Sequence, residues 1–206
     1  MRRILTYICS LLLLAQSLSA GGNEFLRRLH PGLEWGYTAT MFNFHHFNYL
    51  DESIGFRVDE QEWEARYNTN AYIYSSIAYD FLDFFNASIM IGYEGIDKGR
   101  RIVPLLTRFS YYPFGLDQDG IYLFLDGGIT LPRKENDRYT KQGQLGGGYS
   151  FRLDDRSRLA FNLGFRLAYD RPDVWDPIEE EYVSAHNIRR NEAWYCALKI
   201  GVSLSF

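Results

Sequence analysis

Apolar and polar residues alternate along most of this chain with a period of two. The alternation is clearest in residues 158–169, where one face is apolar and the other is mostly polar or small. A period of two with one apolar face predicts a β-strand that lies at a boundary between two environments. The apolar face carries Leu159, Phe161, Leu163, Phe165, Leu167 and Tyr169, and the other face carries Arg158, Ala160, Asn162, Gly164, Arg166 and Ala168.

Eight segments of this kind follow one another, each about ten residues long, which is the length that a tilted strand needs to cross a bilayer. An even number of antiparallel strands can close into a ring. We therefore predict an all-β chain, a closed antiparallel up-and-down transmembrane β-barrel of about eight strands, with ten as the alternative count. A soluble β-sandwich and a soluble lipocalin-like barrel, whose apolar face would point inward, are the other folds considered. The predicted strands are residues 33–41, 70–81, 85–94, 103–112, 121–130, 144–152, 158–169 and 194–206.

The connections between these segments alternate in length. Short, turn-rich connections alternate with longer ones, as periplasmic turns alternate with external loops in membrane barrels. We predict two long loops, His45–Thr69 and Asp170–Asn191, which carry Trp63, Trp175 and Tyr182. The predicted short connections are 80–86, 113–120 and 153–157, and the medium ones are 96–102 and 132–141.

The last strand ends on an aromatic residue, in the order Lys199-Ile200-Gly201-Val202-Ser203-Leu204-Ser205-Phe206. Lys199, Gly201, Leu204 and Phe206 resemble the C-terminal assembly signal of outer-membrane β-barrel proteins of Gram-negative bacteria. The resemblance implies a cell outer-membrane location and recognition by the barrel-assembly machinery and periplasmic chaperones. It also implies contact with outer-membrane lipids and lipopolysaccharide.

The first twenty residues have the layout of a cleaved secretory signal peptide. Arg2 and Arg3 precede an apolar run over 4–14, and small residues end the segment at Ala20. Residues 21–32 are predicted to be a short leader, either an amphipathic turn at the membrane interface or disordered. The barrel itself is predicted to occupy 33–206.

Composition narrows the function classes. Removing 1–20 takes away two arginines and no acid, so the formal net charge of -4 becomes -6 (-4 - 2). A weakly acidic chain with scattered charges does not indicate nucleic-acid binding. Cys196 is then the one cysteine left, which excludes an intramolecular disulfide. We predict one domain and a monomer.

Charged residues fall on the predicted inner faces of the strands. A lumen this narrow cannot leave them unpaired, so we predict a network of ion pairs and tyrosine hydroxyls that closes the pore. Asp80, Glu94 and Arg152 are expected near the rims, and Glu34 is expected to pair with Lys199 across the closing seam. The full predicted set is Glu34, Asp80, Glu94, Arg108, Asp126, Arg152, Arg158, Arg166 and Lys199.

Histidines in the long loops raise an enzyme hypothesis. Ser184, His186 and the acids at 179–181 hold the residue types of a hydrolytic triad, and an outer-membrane lipid A acyl hydrolase or acyltransferase would need such a set. Neighbouring His45 and His46 point apart on a strand, which disfavours a shared metal. We assign no catalytic, cofactor or metal-binding residue. The predicted role is structural, envelope-integrity related or surface-binding through the long loops, with a lipid-modifying enzyme or a narrow pore as alternatives.

Overall fold

The computed structural model describes residues 24–52, 55–97, 100–131, 140–154 and 157–206. The predicted signal peptide lies outside the described residues. A four-residue helix, α1 (Glu24–Arg27), precedes the sheet, and its Phe25 ring lies 5.3 Å from that of Tyr79. No helix among the described residues has the length and apolar character needed to cross a membrane.

Eight strands form a closed antiparallel ring, as predicted. In chain order β1 to β7 each pair with the next, and β10 lies between β7 and β1 and closes the barrel. β8 and β9 form a separate two-stranded hairpin between β7 and β10. The strands are β1 (Leu29–Asp51), β2 (Phe56–Leu82), β3 (Phe85–Asp97), β4 (Arg100–Tyr111), β5 (Gly120–Leu131), β6 (Lys141–Arg152), β7 (Arg158–Asp170), β8 (Trp175–Asp176), β9 (Glu181–Tyr182) and β10 (Ile188–Ser205).

The barrel is apolar outside and polar inside. Leu163 on the outer surface is 59% exposed, whereas Arg166 and Lys199 in the lumen are each 1% exposed. This distribution confirms the predicted outward direction of the apolar faces and excludes both soluble alternatives. A wall of exposed leucine, isoleucine and phenylalanine side chains is suited to contact with lipid.

Aromatic side chains mark the two margins of the apolar wall. At the end with the long strands, Trp63, Phe44, Trp194 and Tyr169 occupy one row across β2, β1, β10 and β7, because each is the register partner of the next. We call this row the upper belt. Aromatic girdles of this kind lie at membrane–water interfaces. At the short-turn end the aromatic margin includes Phe81, Phe84, Phe85, Tyr111 and Phe151.

Three strands continue past the upper belt. Residues 45–51 of β1 pair with 56–62 of β2 on one side and, up to Tyr49, with β10 residues 188–193 on the other. We call these extensions the projecting sheet. The prediction of a long loop at His45–Thr69 is therefore wrong, because β1 continues to Asp51 and β2 begins at Phe56. A strand in water needs no apolar face, so the alternation of apolar and polar residues is absent there.

The segment 171–187, which contains β8 and β9, folds over the inner face of the projecting sheet; we call it the cap. Val174 packs against Phe47 and Tyr49, and the Leu50 amide donates to the Asn187 carbonyl at 3.0 Å. Burial there raises the pKa of Tyr49. The predicted loop Asp170–Asn191 is thus partly wrong, since it includes a small hairpin and the start of β10.

Candidate functional site

The lumen holds two layers of charged side chains between the margins of the wall. In the layer nearer the short turns, the Arg108 guanidinium donates to both carboxylate oxygens of Asp126, at 2.7 and 2.8 Å. The same group donates to Glu34 at 2.5 Å and lies 4.2 Å from the centre of the Phe124 ring. All four side chains are buried. This layer pairs one cation with two carboxylates in bidentate and single contacts.

The second layer, nearer the upper belt, is centred on Glu94. The Glu94 carboxylate accepts hydrogen bonds from Thr38, at 3.0 Å, from Tyr74 and from Arg166. The Lys199 ammonium lies 3.6 Å from Glu94 and donates to the Tyr74 hydroxyl at 3.1 Å. It also lies 4.0 Å from the centre of the Tyr72 ring, a cation–π contact. This layer pairs one carboxylate with two cations.

Together the two layers span the lumen and carry no net charge. Glu34, Glu94 and Asp126 balance Arg108, Arg166 and Lys199, and each is at most 6% exposed. The predicted cross-lumen network is present among the described residues. Buried charges of this density are stable only when they are paired and hydrogen-bonded.

Two details of the predicted network are wrong. Glu94 is not at a rim but is fully buried at the centre of the upper layer. Lys199 does not pair with Glu34, because the seam register places Lys199 opposite Thr38 and Glu34 opposite Ser203. The two residues therefore lie in different layers, a consequence of register that a one-dimensional pattern does not contain.

Small residues in the wall make room for the large lumen side chains. A Cβ atom added at Gly201 would lie 1.9 Å from the Tyr72 hydroxyl oxygen, and one at Gly148 would lie 2.8 Å from the Tyr122 ring. Gly201 and Lys199 of the predicted assembly signal thus contribute to the packed lumen. Their recognition by the assembly machinery, together with that of Leu204 and Phe206, stays a prediction.

Below the lower layer, a cavity of about 280 Å³ opens toward the short-turn end. Asp80 and Arg152 line it, as expected for residues near a rim, and Asp80 pairs with His30 at 2.9 Å. Arg158 also lines it and lies 5.3 Å from the centre of the Tyr112 ring. Glu34 and Arg108 of the layer nearer the short turns line the inner end of this cavity.

The residues of the enzyme hypothesis lie in the cap and are not assembled as a triad. His186 lies 3.6 Å from Glu52, and both side chains are largely exposed. Ser184 takes part in the described contacts through its carbonyl, which accepts from the Asn187 amide. His45 contacts Asn191 and His46 contacts Asp59, each at 2.9 Å, so the two rings point apart as predicted. Among the described residues no group of three or more His, Cys, Asp or Glu side chains is placed to hold a metal ion.

The projecting sheet carries opposite charges on its two edges. Its β2 edge has Glu60 and Glu62, with Glu64 next in the same two-residue repeat beyond the belt residue Trp63, and its β10 edge has Arg189 and Arg190. The hydrogen bond with His46 holds the pKa of Asp59, on the β2 edge, below its ordinary value. Sequence reasoning missed this surface, although the period-two spacing of the glutamates was a signal for a solvated strand.

These features define the class of the protein: an eight-stranded transmembrane β-barrel of the outer-membrane type. No protein-family model and no curated protein matches the chain. Among solved structures, it is similar to the outer membrane protein OprG from Pseudomonas aeruginosa, with 13% identity, a TM-score of 0.45 and coverage of 86% of this chain and 95% of that chain. It is also similar to the outer membrane protease OmpT from Escherichia coli, with 10% identity, a TM-score of 0.38 and coverage of 86% and 96%.

Proposed function

We propose that this protein is a non-conducting outer-membrane barrel that presents a binding surface at the outside of the cell. One observation carries the proposal: the lumen is filled by paired charges, while three strands continue beyond the upper belt into water. Side chains that fill a lumen leave no continuous aqueous path. The strand extensions are longer than a membrane crossing needs, which indicates a role for the surface that they form.

The lumen part of the proposal is tested by conductance. The purified full chain in planar lipid bilayers should give no steady ohmic current. As a matched comparison, the Glu34→Ala/Arg108→Ala/Asp126→Ala variant removes the lower layer and should leak more than the native chain. Steady conductance of the native protein would favour the narrow-pore alternative.

The surface-binding part is tested on intact cells. A photo-reactive residue at Gln61, on the exposed β2 extension, should form cross-linked adducts with a surface molecule. The same residue at Leu163, in the lipid-facing wall, should form no adduct with another protein. A chain in which 43–64 is replaced by an Asn-Gly turn should still fold, as shown by heat-modifiable gel mobility. It should no longer bind the surface molecule. If the trimmed chain fully restores envelope resistance to detergent in cells lacking the protein, the role is envelope integrity instead.

A further inference from the structure

The β2 side of the projecting sheet is an open strand edge. Phe56–Ala65 pairs with Phe42–Asp51 of β1, and no other strand in the described ranges pairs with its far side. β3 joins β2 only from Tyr72 onward in the direction of the short turns. We call Phe56–Ala65 the acidic edge. At about 3.3 Å per residue it is roughly 33 Å long, and every second backbone group points away from β1.

This edge is already extended and held straight by its pairing with β1. Natural edge strands are protected by proline, by charged side chains or by a covering segment. Residues 56–65 contain neither proline nor lysine, and their protection against pairing comes from charges that are mostly carboxylates. Two large side chains on it are exposed, Phe56 at 74% and Trp63 at 77%. Trp63 is the belt residue that contacts Phe44, and Phe56 lies at the far end of the edge. Free backbone groups at a strand edge can pair with an added strand, and an exposed aromatic residue can anchor it.

The charge of the edge selects what it can receive. Glu60, Glu62 and Glu64 project from one face at the two-residue repeat of a strand, and the single cation within the edge is Arg57. Glu64 is paired with Arg66 at 2.5 Å, and Asp59, on the other face, is bound to His46, so Glu60 and Glu62 are the carboxylates that remain for a partner. A strand laid beside this edge has its own side chains at the same repeat. Lysine or arginine at alternate positions would therefore face the glutamates directly.

The same charges act against pairing with a copy of itself. Two acidic edges side by side would place carboxylates opposite carboxylates, and like charges on neighbouring strands destabilise a pair. The backbone groups of the edge are thus free to pair, while its side chains select the partner. They disfavour a second acidic edge and favour a cationic strand.

We propose that the acidic edge binds an extended cationic segment of a partner protein by β-strand addition, with lysine or arginine of the segment facing Glu60 and Glu62. This inference rests on the proposed surface-binding role and names its partner class. Backbone hydrogen bonds to the edge supply the pairing, and the glutamates supply the selectivity.

The test uses the full chain in lipid nanodiscs and three labelled peptides, KTKVKTK, KTKPKTK and ETEVETE. The first should bind, with an infrared amide signal of the isotope-labelled peptide that shifts to β-structure. The second keeps the four lysines but cannot pair fully, because proline lacks an N–H group, and should bind at least about tenfold more weakly. The third should not bind, because its charges repel the edge.

A matched pair of variants locates the site. Glu60→Gln/Glu62→Gln should weaken KTKVKTK binding about tenfold or more, whereas Glu180→Gln/Glu181→Gln, which removes the same charge from the cap, should change it less than about twofold. Equal binding of KTKVKTK and KTKPKTK, equal effects of the two variants, or edge-dependent self-association of the protein would overturn the proposal. Adducts at Gln61 on cells without peptide binding would retain the proposed function and reject this partner class.

Discussion

The barrel wall and the projecting sheet are built from some of the same strands, yet they obey different rules. In the wall, β1 and β10 have a neighbour on both sides, as does β2 from Tyr72 onward, and the charges behind them are paired. Before Tyr72 the described part of β2 pairs with β1 alone, and past the upper belt Glu60 and Glu62 face solvent. Lipid offers no hydrogen bonds, so it enforces complete pairing, whereas water accepts open edges and single charges.

The largest expected difference between the two regions comes from removing one carboxylate in each. Glu94→Ala leaves Arg166 and Lys199 buried without their acid, and breaking a buried charge network costs about 3–5 kcal/mol. Glu62→Ala on the projecting sheet removes an exposed charge and should change stability by less than about 0.5 kcal/mol. Urea unfolding in lipid vesicles, followed by gel mobility, measures both. Equal losses would show that the lumen network contributes no more than surface charges.

A smaller difference in stability is expected between glycine substitutions on the inner and the outer face of the wall. Gly201→Ala places a methyl group against Tyr72 and should cost about 1–3 kcal/mol, the usual range for overpacking. Gly127→Ala is the control, because nothing lies within 4 Å of its added Cβ. The Gly201→Ala/Tyr72→Phe double variant should recover part of the loss in the same unfolding assay. No recovery would mean that the contact with the Tyr72 hydroxyl is not the cause.

The sequence predicted the wall well and the projecting sheet poorly, for one physical reason. Contact with lipid requires an apolar residue at every second position. The spacing of Phe161, Leu163 and Phe165 therefore predicts both the strand and the face that points outward. In water that requirement disappears, and Glu60, Gln61 and Glu62 form a strand without any apolar face. Pairing across the lumen depends on register, which is why the acid partner of Lys199 was predicted as Glu34 and is Glu94.

The smallest expected effect is a pH dependence confined to the projecting sheet. His46 holds the pKa of Asp59 below its ordinary value, so the ionised carboxylate stabilises the fold above the ordinary aspartate pKa of about 3.9. That contribution is lost as the pH falls through the lowered value. Amide hydrogen exchange, corrected for intrinsic rates, should therefore speed up around Asn48 and Asp59 between pH 5 and pH 3 while the wall stays protected. Asp59→Asn should remove this pH dependence, and an unchanged profile in that variant would assign it to another group.

The two charged layers also constrain the order in which the barrel can form. Glu94 on β3 finds its cations on β7 and β10, and Arg108 on β4 finds one of its acids on β1. Arg108 and Asp126 pair within the β4–β5 hairpin, but Glu34 and Glu94 find their cations only on non-adjacent strands. A partly inserted sheet would therefore hold uncompensated charge at membrane depth, which is costly. Closure of the seam between β1 and β10 is what neutralises the interior. Insertion and ring closure are therefore expected to be coupled, because the salt bridges that span the lumen make a half-built barrel an unfavourable intermediate.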